Sequence, residues 1–211
     1  PAQKLTPEII KDFLVACKEN QQKEWVVHTP YYINLASPTE KTRKNSVRII
    51  REELERASLI QATYVMAHMG SSKGISKKQG LGYVIKGIKE ILDGYKGSAQ
   101  FLIEISAGAG EVIGDTFEEI AYILDHVSNE VGVCFDTQHA FGSGYDLRTK
   151  DAVANTFDQF DKIIGLDKLK MSHCNDSKVA LGDHKDRHEH IGKGHIGLPG
   201  FKAIIGEKRL G

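Results

Sequence analysis

What this chain of 211 residues is short of excludes most function classes. Its three cysteines, Cys17, Cys134 and Cys174, are odd in number and widely spaced, so neither a disulfide framework nor a paired-cysteine zinc knuckle is present. Cysteines of that kind suit a reducing compartment, and a cytoplasmic location is expected. No apolar run reaches the roughly 18 residues of a membrane span and no signal-peptide pattern opens the chain, so no membrane partner is expected. Net charge is also missing: 28 basic residues balance 28 acidic ones. That balance counts mildly against a nucleic-acid partner, without excluding a local basic rim. The chain has no Walker loop, which removes one common nucleotide-binding chemistry. Gly108-Ala109-Gly110 reads as a strand-to-helix turn, and Gly142-Ser143-Gly144 as a sharp bend behind His139.

What is present is a repeat of short aliphatic runs and helical patterns. Apolar content is 40% and charged content 27%, enough for one domain with a sizeable core over 1–211. Strand-like runs occupy 25–27, 62–67, 100–105, 131–135 and 169–172, and helical patterns occupy 39–58, 80–92, 116–127, 150–163 and 198–205. Thr116 followed by Glu119 has the spacing of a capping box. Strand–helix alternation at this spacing predicts an α/β fold with a parallel sheet, of the TIM (β/α)8 barrel type. The polar stretch 175–197 is longer than most loops, which marks it as functional or disordered.

Each strand run ends in a residue able to hold a metal. These are His28, His68, Glu104, Asp136 with His139 three residues on, and His173; the long loop adds Asp186 and His188 around Arg187. Any one alone has an ordinary structural explanation, and His126, His184 and His190 are given that explanation here. Five strands converging on one end is another matter, because that end of a βα barrel carries the active site. Imidazole and carboxylate without thiolate suit zinc, manganese or iron. So many donors exceed the four of a single zinc, and Glu104 on the central strand is the natural shared ligand. Adjacent ions about 3.5–4 Å apart clamp an in-line displacement at phosphorus.

The motifs around these positions resemble the endonuclease IV family of apurinic/apyrimidinic endonucleases. His28-Thr29-Pro30-Tyr31-Tyr32-Ile33-Asn34-Leu35 looks like its H-x-x-Y-x-I-N-L, and His68-Met69-Gly70-Ser71 like its H-x-G-S. Asp136-Thr137-Gln138-His139-Ala140-Phe141 with Gly144-Tyr145-Asp146 is similar to D-T-C-H-A-F-x-x-G-Y-D. His173-Cys174-Asn175-Asp176-Ser177-Lys178 matches H-x-N-D-S-K, and Asp186-Arg187-His188 through Gly197 matches D-R-H-x-x-I-G-x-G-x-I-G. The resemblance implies a zinc-dependent deoxyribonuclease that cleaves DNA 5′ to abasic sites in base excision repair, acting as a monomer on double-stranded DNA with three Zn2+. It would assign His28, His68 and Glu104 to the first zinc, Glu104, Asp136 and His173 to the second, and His139, Asp186 and His188 to the third. Glu104 and Arg187 would be catalytic, and Tyr31, Tyr32 and Arg187 would touch DNA, Tyr31 by wedging in at the lesion. The plain alternative for Tyr31 is a half-buried rim tyrosine.

Several departures from the family pattern set further expectations. Ile105, Ser106 and Ala109 replace the family's Asn, Thr and Gln and are expected to flank the metal, while Gln138 for Cys is expected to matter little. Lys73, Lys77 and Lys78 are read as a solvated run able to touch the DNA backbone. The chain starts at Pro1 and stops at Gly211, so its barrel is expected to be truncated, with the first two strands and the last one missing and the second zinc one carboxylate short. The alternatives are a xylose-isomerase-like sugar isomerase or epimerase, against which the Asp186–His188 loop counts, and a metal- or DNA-binding fragment without catalysis.

Overall fold

The computed structural model describes residues 4–210; Pro1 and Gly211, the two ends weighed above, lie outside the described residues. Five parallel strands lie in sequence order in one curved sheet: β1 (Val26–His28), β2 (Tyr64–Ala67), β3 (Gln100–Glu104), β4 (Gly132–Asp136) and β5 (Leu169–His173). The connecting helices are α2 (Glu40–Leu59), α3 (Lys77–Leu92), α4 (Phe117–Leu124), α5 (Thr137–Ser143) and α6 (Lys150–Ile163), with α1 (Pro7–Glu19) ahead of β1 and α7 (Gly197–Ile205) after β5. This is a partial TIM barrel. Among the described residues, no strand pairs with the outer edges of β1 and β5.

Alternation along each strand divides the sheet into two faces. Val65, Ala67, Phe101, Ile103, Val133 and Phe135 point outward and join the helices in the main core. Met66, Leu102 and Cys134 point inward, as a layer beneath the strand ends. Both faces being covered explains why the runs are continuously apolar rather than alternating. One step further along the inward face come His28, Glu104, Asp136 and His173, each the last residue of its strand. Strands β1, β4 and β5 thus run one residue beyond the apolar runs that mark them, because a polar residue closes each run while still pairing in the sheet.

Side-chain caps set the helix starts. Thr6, Thr116 and Thr149 accept from the third residue on, and Ser76 with Gln79 forms a full capping box, which begins α3 at Lys77 rather than at 80. The box expected at Thr116 is only half made. Thr116 accepts from Glu119 N, but the Glu119 carboxylate turns away to Gly114 N (2.8 Å) and Lys77 Nζ (2.6 Å). Lys77 also meets Asp115 at 3.2 Å, so it is paired within the protein and is not the free DNA-facing lysine expected above.

Helix α5 has no counterpart among the helical patterns of the sequence. The bend expected at Gly142-Ser143-Gly144 is the last turn of this helix, and only Gly144 closes it, with φ +110°, a left-handed cap that disfavours a side chain. Nor is the 175–197 stretch a bare loop. It carries the antiparallel pair β6 (Asp176–Ser177) and β7 (His188–Glu189).

Candidate metal centre

Asp136 is both the end of β4 and the N-cap of α5, since its Oδ1 accepts from His139 N at 2.9 Å. Strand and helix therefore share one residue, and His139 is delivered to the same pocket three positions on. The other Asp136 oxygen accepts from Asn175 Nδ2 at 2.6 Å. Asn175 is in turn clamped to Thr137 Oγ1 through its backbone N (2.8 Å) and O (2.7 Å). Sequence reasoning singles out neither Asn175 nor Thr137; their polarity beside two candidate ligands is the available signal.

Glu104 stands at the centre and is 1% exposed. Its Oε2 lies 2.7 Å from His28 Nε2 and 3.7 Å from His68 Nε2. Its Oε1 lies 2.9 Å from His173 Nδ1 and 3.4 Å from His139 Nδ1. Burial opposes the carboxylate's charge, but the imidazoles of His139, His173 and His28 facing it outweigh that and hold the Glu104 pKa far below the usual range. His28 is fixed from behind, with its Nδ1 donating to Thr29 O at 2.6 Å, which leaves Nε2 for the centre.

A second group lies beyond His139. Its Nε2 is 3.4 Å from Asp186 Oδ1 and 3.2 Å from His188 Nε2, and Asp186 Oδ1 is 3.3 Å from His188 Nε2. These edges form a nearly equilateral triangle of donor atoms. Burial works against a charge on His139, yet Asp186 and Glu104 overcome it and push its pKa up to about 10. Asp186 is lowered in return, chiefly by His139. His68 moves down because it is desolvated, and His28 moves up because Glu104 is bonded to it.

The set fits cations better than it fits itself. His139 Nδ1 is buried without a hydrogen-bond partner, and two imidazole nitrogens face each other at 3.2 Å. Five histidines, three carboxylates and a thiol offer hard and borderline donors in three overlapping groups. The groups can hold metal ions with Glu104 shared between the first two: His28, His68 and Glu104; Glu104, Cys134 and His173; and Asp136, His139 and His188. Asp136 Oδ2 is 3.8 Å from His173 Nδ1 and 4.0 Å from His188 Nε2, so it stands between the second group and the third. The Cys134 thiol lies beside the imidazoles and carboxylates expected from the sequence. A cation that displaces the His139 proton should release that proton near pH 8, where metal-free His139 is charged. The His139 share of the release should vanish as the pH rises past about 10. Calorimetry of zinc uptake in buffers of different ionisation enthalpy measures this, and no buffer dependence at pH 8 would refute it.

The departures from the family pattern divide. Ser106 Oγ lies 3.4 Å from His68 Nδ1, behind a candidate ligand as expected. Ile105 points into the apolar core instead, because it alternates with Glu104 along the chain. Ala109 lines an open cavity of about 430 Å³ between the cluster and Tyr31, Tyr32 and Asn34. Gln138 is not minor. It is fully buried, donates to Lys185 O at 3.0 Å and accepts from Arg187 N at 3.2 Å, so it ties the 185–188 segment to α5. Gln138→Ala should weaken binding of one metal equivalent by about tenfold or more, as lost support behind ligands does. Chelator titration followed by metal analysis reads this, and equal affinities in both proteins would sink it.

Tyr31 is 95% exposed and Tyr32 56%, which removes the half-buried alternative for Tyr31. Their loop is seated on the end of β2, where Leu35 N and Ala36 N donate to Met69 O and Asn34 Oδ1 accepts from Ser71 N. Gly70, at φ +89°, allows this approach; a side chain there would collide with Asn34. Arg187 is exposed on the other side, with one guanidinium nitrogen on Asp186 O at 2.6 Å. The candidates set aside stay outside the donor groups: His126 bonds Tyr122 O, His184 has left-handed backbone, and His190 is exposed.

Comparison with known proteins places this geometry. A family model described as a xylose isomerase-like TIM barrel matches residues 1–210. A protein of Halothermothrix orenii named probable endonuclease 4 is 42% identical over 199 residues, covering 92% of this chain and 72% of that one. Another of the same name from Aquifex aeolicus is 43% identical over 182 residues, 85% of this chain and 64% of its own length. The solved endonuclease IV of Thermus thermophilus superposes with a TM-score of 0.87 at 30% identity, over all of this chain and 74% of that one. The chain thus spans roughly two thirds to three quarters of the length of these relatives.

Proposed function

Since this chain belongs to the xylose isomerase-like TIM-barrel family, and within it to the endonuclease 4 proteins, we propose that it cleaves the DNA backbone 5′ to abasic sites in base excision repair, with three zinc ions as cofactors. The activity class that goes with this membership is a DNA-cleaving hydrolase. The observation that carries the finer reading is the Glu104 carboxylate, within 2.7–3.7 Å of four histidines, His28 and His173 ending strands, His68 just past β2 and His139 in α5.

When bound, adjacent zinc ions supply charge neutralisation at phosphorus and bring the pKa of water toward 7. The chain's own residues do the rest. His28, His68 and Glu104 would hold the first ion, Glu104, Asp136 and His173 the second, and His139, Asp186 and His188 the third. Glu104, Asp136 and Asp186 place three negative charges that offset the cations. Asn175 and Thr29 fix ligand orientation from behind, through Asp136 and His28. Arg187 is exposed beside the third group, where its guanidinium fork suits a DNA phosphate. Tyr31 and Tyr32 stand over the cavity leading to the cluster, as stacking partners for bases next to the lesion. An abasic nucleotide leaves the helix at low stacking cost, so no base readout is required.

The Asp186–His188 segment separates this reading from a sugar isomerase, which has no use for a third donor group. A cytoplasmic monomer completes the proposal, and the three free cysteines suit a reducing compartment. Among the described residues no helix is long and apolar enough to cross a membrane. The test is incision of a duplex bearing one tetrahydrofuran lesion. Zinc-loaded protein should nick it on the 5′ side, and chelator or His68→Ala should abolish nicking. A zinc-loaded protein that leaves the lesion intact would defeat the proposal.

A further inference from the structure

Two charged residues outside the donor groups sit where local physics would not put them. Lys77 opens α3, whose first turn carries no acidic residue, so a cation stands at the positive end of its own helix dipole. Glu119 has the position to close a capping box with Thr116, yet its carboxylate turns elsewhere. Both find their partners across the fold. Lys77 Nζ meets Glu119 Oε1 at 2.6 Å and Asp115 Oδ1 at 3.2 Å, and the two carboxylates are only 13–14% exposed. Glu119 Oε2 accepts from Gly114 N at 2.8 Å. Gly114 is buried at φ +86°, and its carbonyl accepts from Ser106 N at 2.9 Å. Beside it, Ile113 N donates to Gly70 O at 2.9 Å. Ser106 Oγ stands 3.4 Å from both Ile113 O and His68 Nδ1. With Ile113 O taking the hydroxyl proton, Oγ accepts from His68 Nδ1 and leaves Nε2 to face Glu104. A hydrogen-bonded line thus runs from α3 and α4 to the back of a candidate ligand.

We propose that Glu119, backed by Lys77, is a positioning residue of the metal centre. It holds the 113–114 turn, and through that turn the serine that orients His68. This rests on the metal centre proposed above. Local rules broken at two places, and satisfied there only by each other, mark a functional constraint. The helix starts alone would be served better by a closed box at Thr116 and an acidic first turn in α3. Burial raises the Glu119 pKa, and Lys77 is the largest influence against that rise, so the lysine favours the ionised acceptor that Gly114 N requires.

The test compares Glu119→Ala, Lys77→Met and Lys77→Arg with the wild-type chain. In the metal-free wild type, NMR of the histidine ring nitrogens should place the His68 proton on Nδ1 alone. Glu119→Ala should show both His68 tautomers. Zinc titration against a chelator should show one metal equivalent held about tenfold or more weakly in Glu119→Ala, the scale of lost support behind a ligand. Lys77→Met alters a half-exposed side chain, so it folds even if Glu119→Ala does not. It should weaken the same equivalent by up to about fivefold, the scale of a partly exposed ion pair, and Lys77→Arg should restore it. A pair that only stabilises the fold would lower the melting temperature and leave the His68 ring signals and every zinc affinity unchanged, and that result overturns the proposal. Lesion nicking at the wild-type rate by such variants would leave the proposed function standing. A wild type that takes up no zinc would defeat the proposed function, and the ring signals, which need no metal, would still decide whether Glu119 positions His68.

Discussion

Replacing Glu104 by Gln should lower incision of abasic-site DNA by at least about 10³-fold and release more than one metal equivalent from the protein. The activity loss is the scale seen when a group that stabilises charge in the transition state is removed. The metal loss exceeds one equivalent because Glu104 lies within 3.7 Å of four histidines. An amide keeps the shape but presents an N–H on one side, and that N–H faces ring nitrogens which themselves seek an acceptor or a cation. The four imidazoles then lose the anion that orients them, and His139 loses one of the partners that raise its pKa. Single-turnover nicking and metal analysis of the purified variant check this. Retention of all bound metal would show that Glu104 is not shared.

Asp176→Ala should lower the melting temperature by about 10 °C and cost one metal equivalent, while the Glu104-centred groups remain loaded. Asp176 is fully buried, and its carboxylate accepts from five backbone N–H groups: Ser177, Gly192, Gly194, Ile196 and Gly197. That one side chain folds the segment after β7 back onto β6, where His195 N also donates to Ser177 O. Removing it orphans several backbone donors, each costing about 1–3 kcal/mol where water cannot reach. Taking about 3–5 kcal/mol in all, the melting point of a chain this size falls by about 2–4 °C per kcal/mol, which gives the stated drop. The metal loss follows because β6 pairs Ser177 with His188, so the same collapse releases His188 and its neighbour Asp186. A variant with unchanged melting temperature, or one that keeps its full metal complement, would show that the segment is organised by something else.

Asp176 also shows what is legible in the sequence and what is not. It stands there as part of a matched motif next to candidate ligands, and nothing in its spacing says that it is a backbone anchor rather than a ligand. Gln138 looks minor because a substitution of a family cysteine carries no visible partner, and its partners, Lys185 and Arg187, lie 47 and 49 residues away. Helix α5 is hidden because seven residues rich in polar and glycine positions show no apolar stripe; it exists because Asp136 caps it and Gly144 ends it. Ile105 is misplaced by a motif alignment, which treats neighbours of Glu104 alike, whereas strand alternation sends it to the opposite face.

The sequence by itself determined the parallel sheet, the order of its strands and which side chains gather at their ends. Short continuous apolar runs alternating with helical patterns fit strands covered on both faces, and a polar residue closing each run lies where that covering stops. Tertiary structure alone decided the distances at which those side chains meet. The closeness of four histidines to Glu104, the place of Asp136 between two groups and the approach of Cys134 to His173 all depend on how neighbouring strands lie and on a register shift in β4. These displacements are smaller than one residue, and a sequence pattern, whose finest unit is one residue, cannot express them.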